Sequence, residues 1–256
     1  FLFLEFIKFV KSFSPDYIIL ENVSGIKSSG SGFFLKNIIL ELEKLDYNVS
    51  VKTVNAADFG VPQTRNRILF VGVKKKVGLL EPYLFPAGKY ENNHRTVYDA
   101  ISDLPVLENN EVKYTYDMDP LTEYQKLMRG FGNMEKISKP TILKNHRSPN
   151  HPKDTIEKIK NTRPGEPMYD RFKQRIRLKS DKPSPTQLAG GIRPQFQFGH
   201  PSQNRGLSIR ERARIQSFPD SYEFCGGIVQ ERVQTGNAVP PLLIYELVKP
   251  IIKTLK

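Results

Sequence analysis

Tyr17-Ile18-Ile19-Leu20 is an unbroken apolar run between two helical patterns, and it constrains the fold more than any other segment. Four β-favouring residues with no polar alternation describe a strand buried on both faces of a parallel sheet. Before it, Leu2, Phe6, Phe9, Val10 and Phe13 recur at helical spacing, and Ser14-Pro15-Asp16 stops that helix. After it, residues 33–46 repeat the amphipathic pattern, and residues 47–54 and 67–73 read as two more strands. Strand, helix, strand, strand is the tail of an α/β sheet. From Lys74 the texture changes. Residues 74–174 are polar and punctuated by Pro and Asn, with helical signals only at 154–160 and, more faintly, near 96–103. A helix from Ser208 to Ser217 and another near 240–255, opened by Pro240, close the chain.

Charge separates the same regions. The 256 residues carry 39 Lys and Arg against 27 Asp and Glu, a net +12. Residues 129–215 hold 20 of those bases and 7 of the acids, so the remainder is nearly neutral. A basic segment beside a neutral one points to a polyanion, most simply nucleic acid. The apolar start, FLFLEFIKFV, is broken by Glu5 and Lys8 and is too short for a membrane span. One cysteine excludes an internal disulfide and a Cys-rich zinc site, and the expected setting is a reducing, intracellular one.

Several residues have the chemistry of a site. Glu21 ends the first strand, where open α/β sheets place ligands, and is either an acid or a turn residue. Arg65 and Arg67 enter the third strand two apart, on one face, either as an oxyanion grip or as a surface pair. Residues 205–220 hold four arginines, with Arg210 and Arg214 on one helix face. Gly236 to Pro241 reads as a tight turn. Gly30-Ser31-Gly32 lacks both the dinucleotide and the GK[ST] spacing and is expected to be a mobile connector. His94, His146, His151 and His200 show no metal spacing; His146 and His151 are expected at the surface, and Cys225 as a small buried hydrophobe.

Four blocks in order resemble the DNA cytosine-5 methyltransferases. Glu21-Asn22-Val23 is similar to that family's ENV motif, and Gln63-Thr64-Arg65-Asn66-Arg67 to its QxRxR motif. Arg177-Leu178 through Pro183-Ser184-Pro185-Thr186, with the arginine-rich 210–220 that follows, resembles the ninth block. Gln234 to Pro241 resembles the tenth. The family's Gly-rich cofactor loop and its Pro-Cys dipeptide have no counterpart here; Phe224 precedes the single cysteine. The resemblance therefore implies the C-terminal part of a Rossmann-like S-adenosylmethionine-dependent methyltransferase sheet, with a smaller irregular target-recognition domain. Residues 1–73 would be half of the catalytic domain, 74–205 the recognition domain, and 206–256 the return to the catalytic domain.

The implied reaction is methyl transfer from S-adenosylmethionine to carbon 5 of a flipped-out cytosine in double-stranded DNA, as the modification half of a restriction–modification pair. Glu21, Asn22, Arg65 and Arg67 would serve catalysis, Asn237 and Ala238 the cofactor pocket, and Gln63, Arg177, Arg193, Arg205 and Arg210 the DNA. An N-terminal segment or subunit would supply the cofactor loop and the nucleophile, and the chain alone would be inactive. A non-catalytic DNA-recognition module is the alternative. No metal is implied.

Overall fold

The computed structural model describes residues 2–77, 82–130, 142–189 and 197–254. The chain divides into two compact units, one made of residues 1–55, 65–87 and 249–256, the other of 56–64 and 88–248. This division falls elsewhere than the sequence boundaries. The stretch 56–64 leaves the first unit, and residues 206–248 group with the second.

The first unit contains α1 (Leu2–Phe13), β1 (Tyr17–Val23), α2 (Phe33–Lys44), β2 (Tyr47–Asn55) and β3 (Asn66–Lys74). Strand order is β1-β3-β2, with β3 antiparallel to both neighbours. β1 and β2, joined through α2, therefore run parallel to each other but do not pair. Ile68, Leu69, Phe70 and Val71 are all fully buried, so the strand buried on both faces is β3. β1 was expected in that role, yet only its Ile18 is buried. The reason is position: β3 has a partner on each side, while β1 bounds the three described strands. Gly72 lies opposite Ile18, and a Cβ there would sit 2.5 Å from Ile18 Cγ1, so this close approach requires glycine.

Ile38, Leu42, Tyr47, Ile68 and Phe70 form the centre of this unit's core. α1 contributes Ile7 and Val10, with Phe3 and Phe6 packed beside them. That stripe follows i, i+3, i+4, i+7 and is rotated from the expected one; Leu2, Phe9 and Phe13 are exposed. Residues 24–32 fold as two 3₁₀ turns. Gly30, Ser31 and Gly32 take positive φ there and turn the chain into α2.

The second unit holds α3 (Val97–Ile101), α4 (Glu123–Met128), α5 (Lys153–Asn161), α6 (Ile209–Ile215), α7 (Ile228–Asn237) and the first part of α8 (Pro241–Thr254). Thr96–Asp99, Thr122–Gln125 and Ser208–Glu211 form capping boxes that fix the starts of α3, α4 and α6. α6 is not an exposed, salt-bridged helix: all seven of its residues are buried. Arg210 and Arg214 have acids waiting. Arg214 meets Asp220 at 2.6 Å and Asp103 at 3.0 Å, Arg129 meets Asp103 at 2.7 Å, and Tyr116 donates to Asp220 at 2.5 Å. No helix among the described residues is long and apolar enough to cross a membrane.

Three histidines are buried here, against the surface placement expected for His146 and His151. His146 lies between the Pro105 carbonyl and Ser208 Oγ, at 2.8 and 3.1 Å. His151 accepts from the Gly206 amide at 3.0 Å. Burial first, then nearby arginines, pulls His151 down to about 4; burial pulls His200 to about 4 as well, against the opposing pull of Glu211. A histidine whose folded pKa is depressed is protonated first in the unfolded chain. Its stabilising contribution is therefore complete above about 6.5 and is lost as pH falls toward 4. The urea midpoint should drop across that window, and His200→Gln should flatten the drop. A midpoint unchanged between pH 7 and pH 4.5 would contradict the burial of these rings.

Candidate functional site

Glu21 and Arg67 share a face of the first unit's sheet. In the β1–β3 register Val23 lies opposite Arg67, and Glu21 is two residues from Val23, making Glu21 and Arg67 diagonal neighbours. Arg67 Nε stands 2.6 Å from Glu21 Oε1, with both side chains largely buried. The contact is an ion pair rather than a well-aligned hydrogen bond, and that oxygen is buried with no hydrogen-bond donor. Arg65 is buried just before β3. Burial, then repulsion from Arg67, lowers its guanidinium to about 10, partly offset by Glu21. Two cations and one carboxylate thus make a compact, net positive cluster. Asn22 accepts from the Val23 amide at 2.8 Å.

The second unit brings together blocks that are far apart in the sequence. Gln63 is fully buried and accepts from the Gln187 amide at 3.1 Å; it also pairs as a parallel bridge with Ser184. Thr64 N donates to Ser184 O at 2.8 Å, Ser184 N to Pro62 O at 3.0 Å, and Thr186 Oγ1 to Thr64 O at 2.8 Å. Residues 62–64 and 184–187 are therefore zipped together. Arg212 extends the assembly, donating to Leu188 O at 3.0 Å and to Thr235 Oγ1 at 3.0 Å. Gln216 donates to Thr235 O at 2.7 Å. Gly236 completes it, since a Cβ there would meet Ala189 Cα and N at 2.3 Å. Gly236 and Asn237 form the last residues of α7, a helix the sequence did not announce, and residues 238–240 turn the chain into α8. Asn237 ends α7, exposed, and half-buried Ala238 caps it.

The expected DNA contacts are placed differently. Arg205 grips Glu211 through two bonds of 2.9 and 2.7 Å. Arg210, at 0% exposure, donates to the carbonyls of Lys144, Pro219 and Tyr222. Arg177 donates to the carbonyls of Ile159, Thr162 and His200. Like the Gln63 side-chain carbonyl, these guanidinium groups bind the fold's own loops, since buried polar groups are as a rule paired internally. Arg193 lies outside the described residues. Seven of the arginines in 129–215 are buried, so the exposed charge there belongs to Arg147, Lys153, Lys158, Lys160, Arg163 and their neighbours toward Lys182. Cys225 is exposed, contrary to expectation. Among the described residues no group of His, Cys, Asp and Glu is arranged to hold a metal.

Known proteins resemble this chain over nearly all of it. Residues 1–253 match the C-5 cytosine-specific DNA methylase family. The Type II methyltransferase M.DdeI of Desulfomicrobium norvegicum is 35% identical over 281 residues, which cover 98% of this chain and 66% of that protein. The Type II methyltransferase M1.HphI of Haemophilus parahaemolyticus is also 35% identical, over 98% of this chain and 60% of its own length. The chain thus spans slightly less than two thirds of these relatives. A solved prophage-encoded protein of E. coli, assigned as a DNA modification methyltransferase, superposes with a TM-score of 0.73 at 25% identity, covering 99% of this chain and 74% of that one. The mixed α/β architecture is accordingly that of DNA methyltransferases, and this chain belongs to the C-5 cytosine-specific DNA methylase family.

Proposed function

We propose that this chain is the cytosine-holding and DNA-reading part of a modification methyltransferase, paired in its host with a restriction enzyme. The substrate is a cytosine swung out of double-stranded DNA. The carrying observation is the Glu21–Arg67–Arg65 cluster, in which a carboxylate oxygen is buried without a hydrogen-bond donor beside two guanidinium groups.

The Glu21 carboxyl would hold ring nitrogen 3 and favour its protonation. As a nucleophile adds at carbon 6, negative charge collects on that nitrogen, and protonation there offsets it. Arg67 holds the carboxyl in place. Arg65 and Arg67 together supply positive charge for the nucleotide's phosphate. Asn22, tied to its neighbour's amide, fixes the end of β1. S-adenosylmethionine supplies an electrophilic methyl group. Asn237 and Ala238 would meet it: an exposed carboxamide that both donates and accepts, beside a side chain small enough to leave room. The nucleophilic thiolate would come from a segment or subunit carrying a Pro-Cys loop, and the chain alone would not turn over.

The exposed lysines and arginines of residues 129–215 would contact phosphates. Binding to duplex DNA should therefore weaken with salt, with a log–log slope of about −0.9 per phosphate neutralised. A titration with no salt dependence would refute DNA binding by this surface. Labelled methyl transfer by the chain mixed with a Pro-Cys-bearing segment tests the catalytic half. A stable complex with cofactor and cognate DNA but no transfer would make the chain a recognition module without catalysis.

A further inference from the structure

We propose that the hairpin formed by residues 165–177 reads base edges in the DNA major groove, with Arg171 and Gln174 as its specificity-determining side chains. This rests on the DNA-binding function proposed above.

The hairpin is defined by its backbone. Gly165 N donates to Arg177 O at 2.7 Å, Arg177 N to Glu166 O at 3.1 Å, and Met168 N to Arg175 O at 2.8 Å, while Pro167 and Ile176 pair as an antiparallel bridge. Arg175 N donating to Phe172 O at 2.9 Å closes a turn with Lys173 and Gln174 at its corner. The base of this ribbon is bolted to α5. Met168 packs on Ile159, and Arg177 binds the carbonyls of Ile159, Lys160 and Thr162, the open end of that helix. What is Arg177's buried guanidinium for, in a segment so rich in exposed cations? It holds the ribbon's stem still.

The tip is built differently from the stem. Arg171, Lys173 and Gln174 are exposed, while Phe172 and Tyr169 are half-buried beneath them. Arg175 lies 4.4 Å over the Phe172 ring, and Lys158 lies 4.7 Å over the Tyr169 ring. These contacts give the exposed tip a fixed floor. Lys173 and Asp170 approach to 3.8 Å, but both are so exposed that the pair would yield easily to another partner.

Chemistry and shape then favour a duplex. From 153 to 179, seven exposed Lys and Arg face four exposed acids, so the ribbon and α5 together present net positive charge. A two-stranded ribbon fits the B-DNA major groove, about 12 Å wide. Arg and Gln are the side chains that make paired hydrogen bonds to guanine and to adenine there. Lys158 and Lys160, on α5 beside the stem, are placed for phosphates, which position a protein but carry no sequence information.

The test is selection by the full chain from a duplex library with a randomised centre, with thermal unfolding as the check on folding. The wild type should enrich a sequence pattern. Arg171→Ala and Gln174→Ala should each erase preference at one base pair by roughly 5- to 150-fold, the worth of one paired contact. Arg171→Lys, which keeps the charge and loses the fork, should lose the same preference while keeping the salt slope. Lys160→Ala should instead weaken all sequences alike and reduce the salt slope by about one. Tip variants that keep the wild-type pattern, or that lose affinity uniformly with the pattern intact, would overturn base reading by this hairpin and leave the broader function standing. A wild-type chain that binds duplex without enriching any pattern would also overturn it. No binding to duplex at all would overturn both.

Discussion

Glu21→Gln is expected to slow methyl transfer by ~10²–10⁴-fold once the chain is joined by the nucleophile-bearing part, the usual worth of a positioned acid–base group. The substitution keeps the shape of the side chain and removes the carboxyl group that would favour protonation of the ring nitrogen. It also removes the anion that Arg67 meets at 2.6 Å, and a charge that partly offsets the lowering of Arg65. The stability cost should be modest, about 1 kcal/mol, because the pair is not fully desolvated. DNA binding should be nearly unchanged, since the exposed cations lie in the other unit. Single-turnover transfer of labelled methyl to duplex DNA measures the effect. An unchanged rate would remove Glu21 from the chemistry. A loss of DNA binding equal to the loss of rate would instead make it a fold residue.

How much of this was legible in the sequence depended on the range of the interaction. Local patterns carried well. α1, α2, β2 and β3 fall where periodicity put them, to within a residue or two. α4 was missed although Thr122 and Gln125 spell its capping box, because no apolar stripe announces a six-residue helix. The face of α1 was misread because Phe9 and Phe13 look like core. They stack on each other outside it, with ring centres 6.2 Å apart. The largest misreading concerned arginine. A chain with this many reads as a basic surface, yet Arg177, Arg205, Arg210 and Arg214 are interior. Their partners, such as the Ala100 carbonyl for Arg214 or the Ile159 carbonyl for Arg177, are up to 114 residues away, and no local pattern reveals such pairings. For the same reason the zipper of 62–64 with 184–187 was invisible, although both of its halves had been recognised as motifs.

The interior arginines carry the second large expected effect. Arg214→Met should destabilise the second unit by about 3–5 kcal/mol, the range for removing one partner of a buried ion pair. Arg214 makes bonds of 2.6 Å to both oxygens of Asp220 and reaches Asp103 and the Ala100 carbonyl at 3.0 Å, with no exposed surface on any of the three charged side chains. Burial alone would raise the Asp220 carboxyl, and Arg214 overrides it, holding the group below its ordinary value. Without Arg214 the sign reverses. Arg210 stands 3.8 Å away, a poor substitute, and Asp220 becomes an acid that burial drives toward its protonated form. Protonation then relieves the variant but not the wild type, so the stability gap should narrow as pH falls from 8 to 5. His151 and His200 weaken both proteins alike across that range and cancel in the difference, while His146, which Arg214 helps to depress, adds to the narrowing. Urea unfolding at the two pH values reads both effects. Replacing Arg214 and Asp220 together by apolar residues of similar size should recover much of the loss, because the charge left behind, rather than the lost attraction, is what destabilises. A loss below 1 kcal/mol in the single variant, or a gap that widens in acid, would mean that this arginine is not the counterion of the buried aspartates.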